Sequence, residues 1–141
     1  MASFNRYLIA VAAVFAAATI AGAQAGQTVW DGVYSDAQSK RGQDFSKATC
    51  VSCHGENLAG SDLAPALQGD DFKAVWSGRT AAELFEKIQT TMPADRVGTL
   101  KPPQSADLVA FILKLNEYPA GSSELASEMP ALQQIKITGK K

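Results

Sequence analysis

The chain has 141 residues but only two cysteines and one histidine. A structural zinc site needs four ligands, so zinc here would require carboxylates or a second chain to complete it. No block of Lys or Arg is present, which removes the usual signature of a nucleic-acid or anionic-lipid partner. No segment alternates apolar and polar residues long enough to build a sheet, and there are no internal repeats. The longest apolar run, Leu8 to Ala18, is extended only by Thr19 and Ile20 before Gly22. It falls short of the roughly 20 residues that cross a bilayer.

That short run has the flanks of a secretory signal. Arg6 supplies the positive start, and Ala23-Gln24-Ala25 forms an A-x-A cleavage site. Residues 1–25 are therefore expected to be a signal peptide, with the mature chain starting at Gly26 and delivered to the periplasm. No twin-arginine pair is present, so export of an unfolded chain is the simpler case. The remainder is the size of one domain with a modest core. The formal charge of −1 becomes slightly more acidic when Arg6 leaves with the signal.

Against this scarcity, both cysteines and the histidine fall in one run, Cys50-Val51-Ser52-Cys53-His54. Two thiols three positions apart share one side of a helical turn, and an imidazole follows at once. This is the pattern that attaches a c-type haem through two thioethers. His54 is then carried under the macrocycle, where a ring nitrogen can serve as proximal iron ligand. A thioredoxin-like dithiol is the competing reading of CxxC, but it wants a surrounding βαβ unit, which nothing nearby suggests. Export agrees with the haem reading, because c-type haem is joined to thiols outside the cytoplasmic membrane. An oxidising compartment favours a Cys50–Cys53 disulfide, so those thiols must stay reduced until haem arrives.

Three helices carry start signals. The first has Ser35 as N-cap and Gln38 at the reciprocal capping-box position, and runs through Phe45 toward Cys50. The second begins at Thr80 with Glu83 in the same relation, and places Leu84, Phe85 and Ile88 on one side. The third starts near Ser105, with Leu108, Phe111, Ile112 and Leu115 as its buried stripe, and stops before Tyr118-Pro119. Between the first two, residues 55–78 carry Gly55, Gly60, Gly69 and Gly78 together with Pro65, and read as a loop wrapped around something other than protein. Beyond Pro119, Gly121-Ser122-Ser123 is a short linker to a tail whose Leu125, Met129, Leu132, Ile135 and Ile137 are read as packing along the domain, against a docking arm or fraying end. The expected organisation is residues 1–25 signal, 26–119 haem domain and 120–141 tail.

Iron bound by one His needs a sixth ligand, and a thioether favours the ferrous state. Two methionines remain beyond the signal, each followed by proline. Met92 lies on the loop between the second and third helices and is the expected distal ligand. Met129 lies beyond the last helix, and an open or water-bound iron is the third possibility.

The CVSCH run at 50–54, LAPALQG at 63–69 and TTMP at 90–93, in this order with the helices, resemble the small class I cytochromes c over about residues 35–117. The resemblance implies an all-α class I cytochrome c fold, three main helices and loops wrapped around one covalent haem c. It implies that the Pro65 carbonyl accepts a hydrogen bond from the second nitrogen of His54, and that Gly42 and Phe45 cross the last helix near Leu108 and Phe111. More narrowly, VWDGVY at 29–34, WSGRTAAELFEKIQTTMP at 76–93 and NEYPAG at 116–121 are similar to cytochromes associated with quinoprotein (PQQ-dependent) alcohol dehydrogenases. In that frame Trp76 and Arg79 border the haem, where either could meet a propionate, with core Trp and surface Arg as the alternative. Trp30 and Tyr34 are read as packing the N-terminal segment.

The expected function is one-electron transfer with His54 and Met92 as iron ligands and Cys50 and Cys53 as covalent anchors. A periplasmic dehydrogenase, in the narrower resemblance PQQ-dependent, is the expected donor, and a cytochrome or terminal oxidase the acceptor. Membrane contact is expected only through a partner, and no substrate is transformed by the chain itself. The family's best-known members have a lysine-rich face; here the lysines are scattered, so docking should depend less on electrostatic steering. The rival is a haem enzyme or gas sensor with an open distal site for peroxide, CO or NO. It lacks a distal His, although Arg79 or Arg96 could assist if Met92 were displaced.

Overall fold

Ser35 opens the first helix, α1 (Asp36–Thr49), by accepting the Gln38 backbone N–H at 3.1 Å on its hydroxyl. The computed structural model describes residues 26–139, so the signal-peptide expectation lies outside the described residues. The expected second half of the Ser35 capping box is absent. Gln38 instead turns inward, where its amide donates to the Leu125 carbonyl at 2.9 Å and accepts the Leu125 N–H at 2.6 Å. A buried amide satisfied on both sides outweighs a cap that water can replace.

A second short helix, α2 (Val51–His54), carries the haem-attachment motif, and Gly55 ends it at φ +83°, a conformation that favours glycine. The chain then departs from the expected uninterrupted loop. Residues Gly69–Trp76 form α3. Asp70 and Asp71 in its first turn suit the positive end of the helix dipole, and Phe72 stacks on Trp76 one turn later at 6.1 Å.

Helix α4 (Ala81–Thr91) starts with the full capping box read from the sequence. Glu83 accepts the Thr80 N–H at 2.7 Å, and Thr80 Oγ1 accepts the Glu83 N–H at 3.3 Å. Helix α5 begins at Pro102, earlier than the expected Ser105, and ends at Leu115. Proline suits the first turn, where its missing N–H has no helical partner to lose. Helix α5 is buried almost all round and lies at the centre of the core.

Helices α1 and α5 form the main helix pair. A Cβ at Gly42 would overlap the Asp107 carbonyl and crowd Phe111 Cβ, so only glycine permits this crossing. The crossing is further tied by Arg41, which reaches Asp107 at 2.9 Å and Glu124 at 2.8 Å.

The tail packs against this body. Leu125, Leu132, Ile135 and Ile137 are buried, and Met129 lies in a short helix, α6 (Met129–Leu132), packed on the core. Strand β1 (Gln27–Thr28) pairs in parallel with β2 (Ile135–Lys136), pairing Gln27 with Ile135 and Thr28 with Lys136. This pair escapes a search for alternation because two residues per strand carry no period. Trp30 packs edge-on against Tyr118, and the buried Tyr34 hydroxyl donates to the Tyr118 carbonyl at 2.5 Å. Among the described residues no helix is long and apolar enough to cross a membrane.

Candidate cofactor site

Cys50 caps α1 and starts α2, and the His54 N–H donates back to its carbonyl at 2.9 Å, so the motif is wound as one helical turn. The following loop is tied to that turn. The Gly60 N–H donates to the His54 carbonyl at 2.9 Å, the Ser61 hydroxyl donates to the Cys53 carbonyl, and the Leu67 N–H donates to the Leu58 carbonyl. Gly60 has φ +91°, and a Cβ there would crowd the Ala66 nitrogen. This loop delivers the Pro65 carbonyl to within 2.7 Å of His54 Nδ1. A carbonyl only accepts, so Nδ1 carries a proton, which in the neutral imidazole leaves the Nε2 lone pair for a ligand.

Helix α4 stops ahead of Met92, which is extended at φ −121° and ψ 152° and breaks the helix before Pro93. Cys50, Cys53, His54 and Met92 all line one cavity of about 540 Å³. Met129 is not among its lining residues. The walls are mostly apolar: Leu58 and Leu67 from the loop, Phe72 and Trp76 from α3, Ile88 from α4, and Phe111 from α5. Asn116, at the end of α5, holds the loop side in place. It donates to the Leu67 carbonyl at 3.0 Å and accepts the Gly69 N–H at 3.0 Å.

Trp76 is on the cavity wall and is half-buried. Arg79 stands behind it. Its guanidinium carbon lies 5.3 Å from the Trp76 ring centroid, a cation–π contact, and Arg79 is absent from the cavity lining. The cationic side chains on the wall are Lys87 and Arg96, with Arg96 3.3 Å from Asp95. Lys87 and Asn116 escaped the sequence reading. For Lys87 the signal was its place three positions after Leu84, at the margin of the apolar side of α4; for Asn116 it was an amide at the end of an apolar helix.

Burial pushes the Cys50 thiol pKa up, only partly opposed by the Thr49 hydroxyl. A dithiol catalyst needs the reverse, a thiol shifted down so that thiolate is available. The donor set on the cavity is two thiols, one imidazole with a free Nε2 and one thioether, facing an apolar volume. These residues fit a c-type haem: soft sulfur and imidazole donors for iron, and apolar walls for the macrocycle.

Residues 37–112 match the family described as cytochrome c oxidase, cbb3-type, subunit III. The chain belongs to this family. It is a c-type cytochrome of the all-α class I fold, with one covalent haem c and a role in haem-based electron transfer. No curated protein matches the chain. A solved chain described as "Crystal Structure of the Sulfane Dehydrogenase SoxCD from Paracoccus pantotrophus" is similar at 20% identity and a TM-score of 0.46. The match covers 63% of the present cytochrome and 53% of that chain, so the cytochrome spans about half of that chain's length.

Proposed function

We propose that this cytochrome is a periplasmic one-electron carrier with Cys50 and Cys53 as the thioether anchors, His54 Nε2 as one axial ligand and the Met92 sulfur as the other. The observation that carries the reading is the convergence of these four side chains, from α2 and the end of α4, on one apolar cavity. Bound haem c supplies a one-electron Fe(III)/Fe(II) couple. The chain's own residues then do three things. The Pro65 carbonyl holds the His54 ring in one orientation. Phe72, Trp76, Ile88 and Phe111 keep water from the cofactor, which is a lever on potential. Lys87 and Arg96 are the wall cations available to the haem propionates, for which the sequence had offered Trp76 or Arg79.

Leu63, 77% exposed, and Val75, 55% exposed, line the cavity and also face solvent, which suits them to meet a redox partner. The donor we propose is a periplasmic dehydrogenase of the PQQ-dependent type, and the acceptor a cytochrome or terminal oxidase. Membrane contact comes through that partner. The chain itself transforms no substrate.

Mass spectrometry of protein matured with the periplasmic haem-attachment machinery tests the assignment. The expected product starts at Gly26 and keeps haem mass after denaturation, and Cys50→Ala with Cys53→Ala abolishes that retention. Haem that leaves the denatured wild-type chain would contradict the covalent anchors. A periplasmic product still carrying residues 1–25 would contradict the signal.

A further inference from the structure

Ile137 sits between two backbone partners that belong to the corner joining α3 to α4. Its carbonyl accepts the Gly78 N–H at 2.8 Å, and its own N–H donates to the Arg79 carbonyl at 2.8 Å. The adjacent pair, Thr80 and Lys136, forms an antiparallel bridge. The Ile137 side chain is fully buried. On its other side the same segment is held by Val29 and Trp30. The Val29 N–H donates to the Lys136 carbonyl at 2.9 Å, and Trp30 Nε1–H points at the carbonyls of Thr138 at 3.0 Å and Gly139 at 3.1 Å.

The corner so gripped connects two walls of the cavity. Helix α3 ends at Trp76, which lines it, and Arg79 lies over the Trp76 ring from the corner itself. Helix α4 begins at Ala81, places Lys87 and Ile88 on the wall, and delivers Met92. A displacement of the corner from the tail breaks both Ile137 hydrogen bonds together. It also swings Trp76 with α3.

We infer that residues 135–139 form a strap that holds Trp76 against the cofactor and keeps that wall dry, with Ile137 as its positioning residue. The inference rests on the proposed haem site. It assigns the tail a part in setting the reduction potential, through burial of the cofactor, beyond its part in stability. Loosening the strap admits water near the iron, favours the more highly charged oxidised state, and lowers the potential.

The test uses mature haem-loaded protein and two readouts, the reduction potential and the hydrogen-exchange rate of the Gly78 amide. Ile137→Pro removes the donor to Arg79, whereas Ile137→Val keeps it along with a branched buried side chain. The expected result for Ile137→Pro is faster Gly78 exchange and a shift of the one-electron equilibrium toward the oxidised state by about threefold or more. Ile137→Val should restore parental values in both. Should Ile137→Pro fail to mature, Trp30→Phe, which loses the donor to Thr138 and Gly139, is judged by the same pair of readouts.

Faster Gly78 exchange at an unchanged potential would overturn the inference and leave the tail a stabiliser only. Unchanged exchange would overturn it as well, since the corner would then be held by something else. A parent chain that takes up no haem would overturn the site and the strap together, which separates that failure from a haem-loaded parent whose variants do not respond.

Discussion

The Pro65 carbonyl oxygen lies 2.7 Å from His54 Nδ1, and this contact decides which ring nitrogen remains for a ligand. The acceptor is main chain, so the hydrogen bond depends on the path of the loop. That path is set by Gly55 and Gly60 at positive φ and by Asn116 holding Leu67 and Gly69. The first chemical feature of the site is thus an outcome of backbone geometry outside the motif.

Met92→Ala should retain covalent haem, because neither cysteine is touched, but lose the low-spin His/Met spectrum and admit external ligands. Met129→Ala should leave the spectrum unchanged, since Met129 packs on the core away from the cavity. Optical spectra of the two variants check this. Loss of the thioether signature in Met129→Ala, with Met92→Ala unaffected, would exchange the assignments.

Gly42→Ala should destabilise the domain by about 1–3 kcal/mol or more, because the added methyl overlaps the Asp107 carbonyl where α1 crosses α5. Urea denaturation reads this as a lower midpoint with an unchanged slope. The haem spectrum of the folded variant should stay parental.

Gln38→Leu should cost about 1–3 kcal/mol for each Leu125 backbone group left without its partner. Leucine is of similar size and suits a buried position, so the loss is one of hydrogen bonding. Native-state hydrogen exchange should show it as faster exchange at the Leu125 amide.

Burial, aided by the nearby Asp36 carboxylate, pushes the Tyr34 phenol up to about 12 from its ordinary value of 10.0. Between these values the unfolded chain has released the proton and the folded chain has kept it. Stability from this group is therefore complete below pH 10 and falls as pH rises through the window to about 12. Burial shifts Tyr118 in the same direction. Thermal melts across this range should show a declining midpoint, with a shallower decline in Tyr34→Phe; an equal decline would exclude Tyr34 as a source.

Much of this was legible in the sequence where a feature is local. CVSCH, the Thr80–Glu83 box and the Met92-Pro93 helix end each need only a few neighbouring residues, and each stands in the structure as read. What was not legible depends on distant partners. Gln38 left its expected cap because Leu125, far along the chain, offers two backbone groups in a buried place. Helix α3 was hidden by the glycines around it, although Phe72 and Trp76 already had helical spacing. Arg79 was placed on the cofactor because its charge suits a propionate, yet it stacks behind Trp76 while Lys87 reaches the wall from the next helix. The β1–β2 pair and the grip of Ile137 on residues 78 and 79 join segments far apart in the chain, which no local pattern records.

The most direct test of the central claim is the optical spectrum of periplasm-matured protein, taken oxidised, then reduced, then reduced under carbon monoxide. A cavity closed by His54 and Met92 predicts a c-type reduced spectrum, a weak far-red iron-to-thioether band when oxidised, and no change with carbon monoxide. Haem bands that shift with carbon monoxide would contradict it by showing an open distal position, and would move the protein to ligand binding or catalysis.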